Sequence, residues 1–383
     1  MLHVVILALR RQVCGIRILV TSVLSAAALL ASTVSPLAAQ PQPPSPAGPS
    51  TAPTGARVVA ILLPLDSPVF GTAATHVRNG IRAAWAHSAA KGRIDLRFIP
   101  VGDQPNDVIA TYNQALAAGA HAIVGPLIRD QVTALANALA LGAQVPTLAL
   151  NVADGDVRLA RNLFLFGLST EADARQVARL ALRDGRRRAL ILTQPNQFSR
   201  RLQQAFIESF SEGGGAIAGQ HSAVTDLASM NRMRAAAASQ GADMIFIAAD
   251  LPTARMARPF LDTQLPTYAT SQLWSGPIDP NANIDLNGTR LLDMPWLLEP
   301  DHPAVMVFPR SQPVLAPENE RLYAFGIDAY RLAELALERG IQPGLSLDGV
   351  TGRITLERSN WLVREPIPAR VWQGQLVTGT ERR

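Results

Sequence analysis

The sequence predicts an α/β protein built as two doubly wound Rossmann-like lobes with an interlobe cleft. Apolar runs of strand length alternate with helix-period stretches of ten or more residues, and the alternation occurs twice in succession. Nearly half of the 383 residues are hydrophobic, enough for two cores of ordinary domain size.

The first series opens with "RVVAILLPL" (57–65), a nearly continuous apolar run of the kind that sheet strands show when both faces are covered. A helix-period stretch to about residue 90 leads to the strand "RIDLRFIPVG" (93–102). A helix near 106–119, "HAIVGPL" (121–127), a helix near 130–141 and "VPTLALN" (145–151) follow. The second series starts at "LFLFGLS" (163–169), whose helix has Thr170 near its start and Glu171 in its first turn. It continues through "RRALILTQ" (187–194), a helix ending near "EGGG" (212–215), "AIAGQHSAV" (216–224) and a helix near 227–239. "DMIFIAAD" (243–250), a helix at 252–261 and "LPTYATSQLWSG" (265–276) complete it. The remainder holds a strand in "NGTRLLDMPWLL" (287–298), a long helix over 319–340 stopped by Gly340, and two hairpin-like strands within 349–377. Lobe 1 is expected at 56–165 plus about 299–359, and lobe 2 at 166–298 plus about 360–383.

Two segments precede this body. Arg10, Arg11 and Arg17 stand before an apolar stretch (18–31) that ends in small residues up to Ala39, a secretory signal pattern over 1–39. Residues 40–55, Pro-rich and otherwise only Ser, Gly, Gln, Ala and Thr, read as an extended linker. The expected location is therefore periplasmic, with membrane contact only through an uncleaved signal. Cys14 is the only cysteine and follows Arg11-Gln12-Val13 rather than small apolar residues, so no lipid anchor is expected. After export no thiol remains, which excludes disulfides and thiolate chemistry. The signal carries three arginines and no acid, so the formal charge of +5 falls to +2 without it. That charge is spread along the chain, and no nucleic acid is expected as a partner.

Catalytic signatures are incomplete. "SAAK" (88–91) and "SMN" (229–231) imitate two elements of a serine penicillin-binding enzyme, but the Lys-Thr-Gly element is impossible because Lys91 is the sole lysine. No Gly-x-Ser-x-Gly elbow, His-Glu-x-x-His pair or Gly-x-x-x-x-Gly-Lys loop occurs. Neither an enzyme nor a metal or other cofactor is expected.

In open parallel sheets ligands sit beyond the carboxyl ends of the strands. This selects Ser67, Pro126, Leu127, Asn151, Ser169, Gln194 and the trio Thr270, Ser271 and Gln272 as candidates for the ligand cleft. For a free amino acid, Ser67, Ser169, Thr270 and Ser271 would supply a carboxylate clamp, and Asp250 or Asp328 the acid for its ammonium. Asp328, inside the long helix, is otherwise a surface or interlobe contact. Trp274, between Leu273 and Ser275, is the better exposed tryptophan and the candidate for contact with a protein partner.

In order along the chain, "ILLPL" (61–65), "IVGPL" (123–127), "PTLALN" (146–151), "FLFGLSTEADARQVA" (164–178), "YATSQLWSG" (268–276), "DLNGTRLLDMPWLL" (285–298), "RLYAFGIDAYRLA" (321–333) and "GVTGRITLE" (349–357) resemble the LpoA/LppC family of penicillin-binding protein activators. The resemblance implies the type I periplasmic binding protein fold. It also implies a non-catalytic role: binding a bifunctional class A penicillin-binding protein and stimulating peptidoglycan synthesis. The better-known activators are lipoproteins with an N-terminal helical-repeat domain, which these residues do not match. The alternative is a periplasmic receptor that delivers an amino acid or similar small polar ligand to an ABC transporter.

Overall fold

The computed structural model describes residues 55–155, 157–222, 239–261, 264–276, 280–357 and 360–379, with isolated positions between 228 and 235. The signal (1–39), nearly all of the linker (40–55), and most of the helix expected at 227–239 lie outside the described residues.

Two sheets carry the architecture. In the first, β1 (Arg57–Leu63), β2 (Ile94–Pro100), β3 (Ala122–Val124), β4 (Thr147–Ala149) and β5 (Leu163–Phe166) run parallel in the order β2-β1-β3-β4-β5. In the second, β6 (Arg188–Thr193), β7 (Ala216–Ser222), β8 (Met244–Ala248), β9 (Thr267–Ala269) and β10 (Arg290–Asp293) repeat that order as β7-β6-β8-β9-β10. Each lobe is a doubly wound unit of the 2-1-3-4-5 type.

Strand side chains alternate between layers, as a pleated sheet covered on both faces requires. Val59, Ile61 and Leu63 face the core under α1 (Gly71–His87) and α9 (Pro317–Glu338), while Ala60 and Leu62 face the core under α2 (Asp107–Ala117). On β6, Ala189 and Ile191 pack with α4 (Thr170–Arg183) and α5 (Gln197–Glu212), and Leu190 and Leu192 join the opposite core. Phe206 of α5 stacks on Phe246 of β8 at a centroid distance of 4.0 Å.

The chain passes between lobes three times, each time through very little sequence. Gly167-Leu168-Ser169 joins β5 to α4. Met294 joins β10 to α7 (Pro295–Leu298), whose Trp296 is fully buried in the first lobe's core. After α8 (Pro303–Met306) and α9, the strands β11 (Ser346–Gly349), β12 (Gly352–Leu356) and β13 (Trp361–Glu365) extend the first sheet, with β13 parallel to β5. Pro366 alone then leads to β14 (Ile367–Trp372), antiparallel to β10, and β15 (Gln375–Thr378) ends the second sheet. The return to the second sheet thus falls after Glu365, later than the expected boundary near 360. The reason is that Trp361 and Leu362 pair with Leu165 and Phe166. The two hairpin-like strands expected over 349–377 are four, and β11 precedes them.

Asp328 is neither a surface nor an interlobe contact. It is fully buried in α9 and accepts from Val350 N (3.1 Å), Thr351 N (2.8 Å) and Thr351 Oγ1 (2.7 Å), with Arg331 at 3.0 Å. It fastens the β11–β12 turn to the helix.

Helices α1 and α9 touch through glycines. A Cβ on Gly80 would lie 1.9 Å from Tyr323 O, and one on Gly326 would lie 2.1 Å from Val77 O. Backbone is met directly on both sides, so no rotamer change relieves the clash. Gly326→Ala is expected to force the helices apart and destabilise the fold by about 1–3 kcal/mol or more. Urea unfolding followed by circular dichroism measures this, and an unchanged midpoint would contradict the close approach.

Candidate functional site

The carboxyl ends of both sheets face the cleft between the lobes. A cavity of about 490 Å³ lies there, lined by Leu168, Thr170 and Asp173 at the first crossing, by Ser271, Gln272, Trp274 and Ser275 after β9, and by Asp293, Arg321 and Arg364. Its volume falls within the usual range for small-molecule sites.

Of its five charged groups, four are paired with one another, and the fifth, Glu318 in the first turn of α9, adds negative charge near Arg321. Arg321, near the start of α9, forks onto Asp293 at the end of β10, with Nη2 to Oδ2 at 2.6 Å and Nε to Oδ1 at 3.0 Å. Arg321 Nη2 also donates to Ser271 O at 3.1 Å. Arg364 of β13 donates to Asp173 of α4 at 3.2 Å, and Ser271 Oγ donates to the other oxygen of that carboxylate at 3.4 Å. Nearby, Arg129, at the start of α3 (Arg129–Ala138), reaches Glu171 at 3.2 Å. In all three pairs the arginine comes from the first lobe and the carboxylate from the second.

Burial makes these contacts consequential. The Asp293 side chain is 1% exposed, Arg364 6% and Arg321 11%. Burial raises the Asp173 carboxyl above its ordinary range, opposed chiefly by Arg364. Burial also works against the Arg321 charge, but Asp293, together with Asp173 and Glu318, outweighs it and holds the guanidinium above its usual value. For Glu171, burial pushes upward, yet its own backbone N–H, Ser169 and Arg129 together hold the carboxyl below the ordinary range.

The sequence-derived candidates divide into two groups. Ser271, Gln272 and Trp274 line the cavity. Thr270 sits behind them, buried, with its Oγ1 lacking a hydrogen-bond partner. The others do not line the cavity and are engaged in local structure. Ser67 Oγ accepts from Val69 N (3.2 Å) and Phe70 N (2.9 Å) in the turn before α1. Asn151 donates to Leu127 O at 2.9 Å and Pro126 O accepts from Leu150 N at 2.9 Å, so the loops after β3 and β4 hold each other. Ser169 caps α4 by accepting from Ala172 N at 3.2 Å. Gln194 and Asp250 bond reciprocally, at 2.9 Å and 3.0 Å. Asp250 also caps α6 (Leu251–Ala257), accepting from Thr253 N, and the Gln194 bond is the main reason its carboxyl is held low.

Trp274 is not the exposed tryptophan expected from its loop. It is 6% exposed and belongs to a core of the second lobe. Its ring also borders a second, mostly apolar pocket of about 610 Å³ near Trp296 and Leu376, so it forms the wall between that pocket and the cleft. The chain turns inward here because a 3-10 turn over Ser271–Leu273 follows β9. The charged cluster was missed by sequence reasoning. Its signal was a charge set within apolar strand ends: Asp293 in "LLDMPW" and Arg364 in "WLVREP".

Two doubly wound lobes of identical strand order, joined by three short crossings beside a cleft, define the type I periplasmic binding protein fold. The chain belongs to the family described as "LppC putative lipoprotein", whose model matches residues 53–367. A protein of Photobacterium profundum named penicillin-binding protein activator LpoA is 24% identical over 338 residues, covering 80% of this chain and 54% of its own. A protein of Pantoea ananatis with the same name is 27% identical over 330 residues, covering 73% of this chain and 47% of its own. The chain therefore spans about half the length of the curated relatives it matches. Among solved structures, one from Chromobacterium violaceum described as a "putative branched-chain amino acid ABC transporter" is 35% identical with a TM-score of 0.70, covering 82% of this chain and 99% of that one. The LpoA C-domain from Haemophilus influenzae, described as a regulator of PBP1A, is 22% identical with a TM-score of 0.71, covering 84% and 100%.

Two stability measurements probe the cluster. Asp293→Ala leaves the Arg321 charge buried without its carboxylate, and a loss of about 3–5 kcal/mol is expected in denaturant unfolding. A loss below about 1 kcal/mol would contradict a desolvated pair. The Glu171 carboxyl titrates lower in the folded chain than the free value of about 4.3. Its contribution is therefore complete above that value and is lost as pH falls through the lower folded one. Glu171→Gln should flatten the acid limb of a stability–pH curve while leaving the neutral region level, and an unaltered acid limb would count against the pairing.

Proposed function

We propose that this chain is a non-catalytic periplasmic activator that binds a bifunctional class A penicillin-binding protein and stimulates peptidoglycan synthesis by protein–protein contact. The observation that carries this reading is the self-paired cleft. A free amino acid needs a cationic or N–H clamp for its carboxylate and an acid for its ammonium. Here both arginines of the lining are already held by Asp293 and Asp173, so the lining keeps an acid in Glu318 but offers no free cation for a carboxylate. Recognition then falls to the outer surfaces of the lobes. The names of the curated relatives support the same role.

A periplasmic solute receptor for an amino acid or similar small polar ligand, feeding an ABC transporter, is the second reading. The cavity volume and the description of the Chromobacterium violaceum structure favour it. In this reading Ser271 and Gln272 are the ligand contacts.

Periplasmic location belongs to both readings and rests on residues 1–39. Among the described residues no helix is long and apolar enough to cross a membrane. We further propose that Cys14 carries no lipid, because Arg11-Gln12-Val13 is a poor acceptor context, although the family description names lipoproteins. Labelling of cells with a palmitate analogue should give no signal on this chain. Label that disappears in Cys14→Ser would overturn the proposal.

The functional test pairs two experiments on the purified protein. Adding it to a class A penicillin-binding protein from the same organism should raise the rate of glycan polymerisation or cross-linking several-fold, while no amino acid shifts its melting temperature. Strong stabilisation by one amino acid, with no synthase bound or stimulated, would replace the activator reading with the receptor one.

A further inference from the structure

We propose that the protein locks its own hinge, with ion pairs between the lobes fixing their relative orientation in the absence of any ligand. This inference rests on the activator reading, since a receptor that closes on its ligand needs lobes free to move when empty; the charge-free variants test the lock by itself.

The argument begins with where the pairs stand. The crossings at 167–169, at Met294 and at Pro366 are neighbours, because β13 lies beside β5 in one sheet and β14 beside β10 in the other. Each crossing has a member of a pair within a few residues: Glu171 and Asp173 after the first, Asp293 immediately before the second, and Arg364 two residues before the third. Arg321 approaches the same point from α9. Any rotation of one lobe against the other must therefore act through these contacts.

The chemistry makes rotation costly in either direction. A forked guanidinium–carboxylate contact is directional, and sliding α9 past the end of β10 by the length of one hydrogen bond breaks both arms together. Asp293 is almost wholly enclosed, so solvent does not replace the lost partner. Neutral contacts reinforce the charges across the same boundary: Gln176 of α4 donates to Arg364 O at 3.2 Å, and Arg321 donates to Ser271 O. In a protein that closes on a ligand, the bound molecule supplies the contacts between lobes. Here the carboxylates of Asp173 and Asp293 occupy that role permanently.

The test measures the distance between the lobes. The full chain is labelled with paired spin probes at Val69→Cys on the first lobe and Gln197→Cys on the second, both exposed, with Cys14→Ser removing the only native thiol. The unmodified hinge should give one narrow distance population, unmoved by a millimolar mixture of the protein amino acids. Two further variants each remove both charges of one pair, Asp293→Asn with Arg321→Gln and Asp173→Asn with Arg364→Gln. Each should broaden the distribution or shift it by several ångströms while the helical circular dichroism is retained. A native hinge with two populations, a native distance that moves on adding amino acids, or a folded charge-free variant with an unchanged distribution would each overturn the lock. Should the variants not fold, the native hinge in the amino-acid titration decides alone.

Discussion

Three arginines on the first lobe hold three carboxylates on the second, around the place where the chain crosses between them. Much of the interlobe geometry follows from that arrangement. The crossings are too short to fold independently of the strands they connect, so the strand ends carry the charges, and the strands in turn are fixed by two apolar cores. Asp293 can stand at the end of β10 because Arg321 meets it, and Arg321 is placed there by a long helix that cannot shift. The glycines that bring α9 onto α1 thereby help to position a charge near the cleft, at the N-terminal end of that helix.

The same pairs decide what the cleft offers. Unpaired charges beside a cavity of this size would favour a zwitterionic ligand, because desolvated ions need counter-charges. Paired ones weaken that incentive and leave a cavity whose remaining walls are neutral except for Glu318: Leu168, Leu251, Leu292, Met294, Leu322 and Pro366, with the hydroxyls of Thr170 and Ser275 and the amide of Gln272. Trp274 closes one side. Its burial shows how a tryptophan in a short polar loop can serve as a partition between two spaces rather than as a contact on the outside.

The two-lobed fold was legible in the sequence because doubly wound sheets write a strong signal. Their strands are covered on both faces and appear as unbroken apolar runs such as "RVVAILLPL" and "DMIFIAAD", separated by amphipathic helices. The C-terminal part was less legible. β11 to β15 are short, partly exposed strands added to edges, and nothing in a local pattern says which of two sheets Trp361 will join. Of the cleft candidates, Ser271 and Gln272 line the cavity, while Trp274, expected to contact a partner, lines it as well. Ser67, Ser169 and Asp250 follow strand ends, as ligand groups in such sheets do, yet short polar side chains there also satisfy turns and helix N-termini, and these three do so here. The charged cluster escaped because its members lie far apart in sequence, at 173, 293, 321 and 364. Only the folded chain brings them together.

A fold shared by receptors and activators raises the question of what separates them, and sequence identity alone does not answer it. This chain resembles both a structure described as an amino acid transporter component and proteins named as synthase activators. Both uses need two lobes and a cleft. A receptor must change shape when its ligand arrives, so its lobes have to be weakly coupled in the empty state and strongly coupled in the occupied one. A protein that presents a fixed surface to a large enzyme has the opposite requirement, since any freedom at the hinge is entropy lost on docking. Carboxylates supplied from within the chain meet that second requirement at every ligand concentration. In this chain the side chains that bear on that distinction are Glu171, Asp173 and Asp293 with their arginine partners at the crossings.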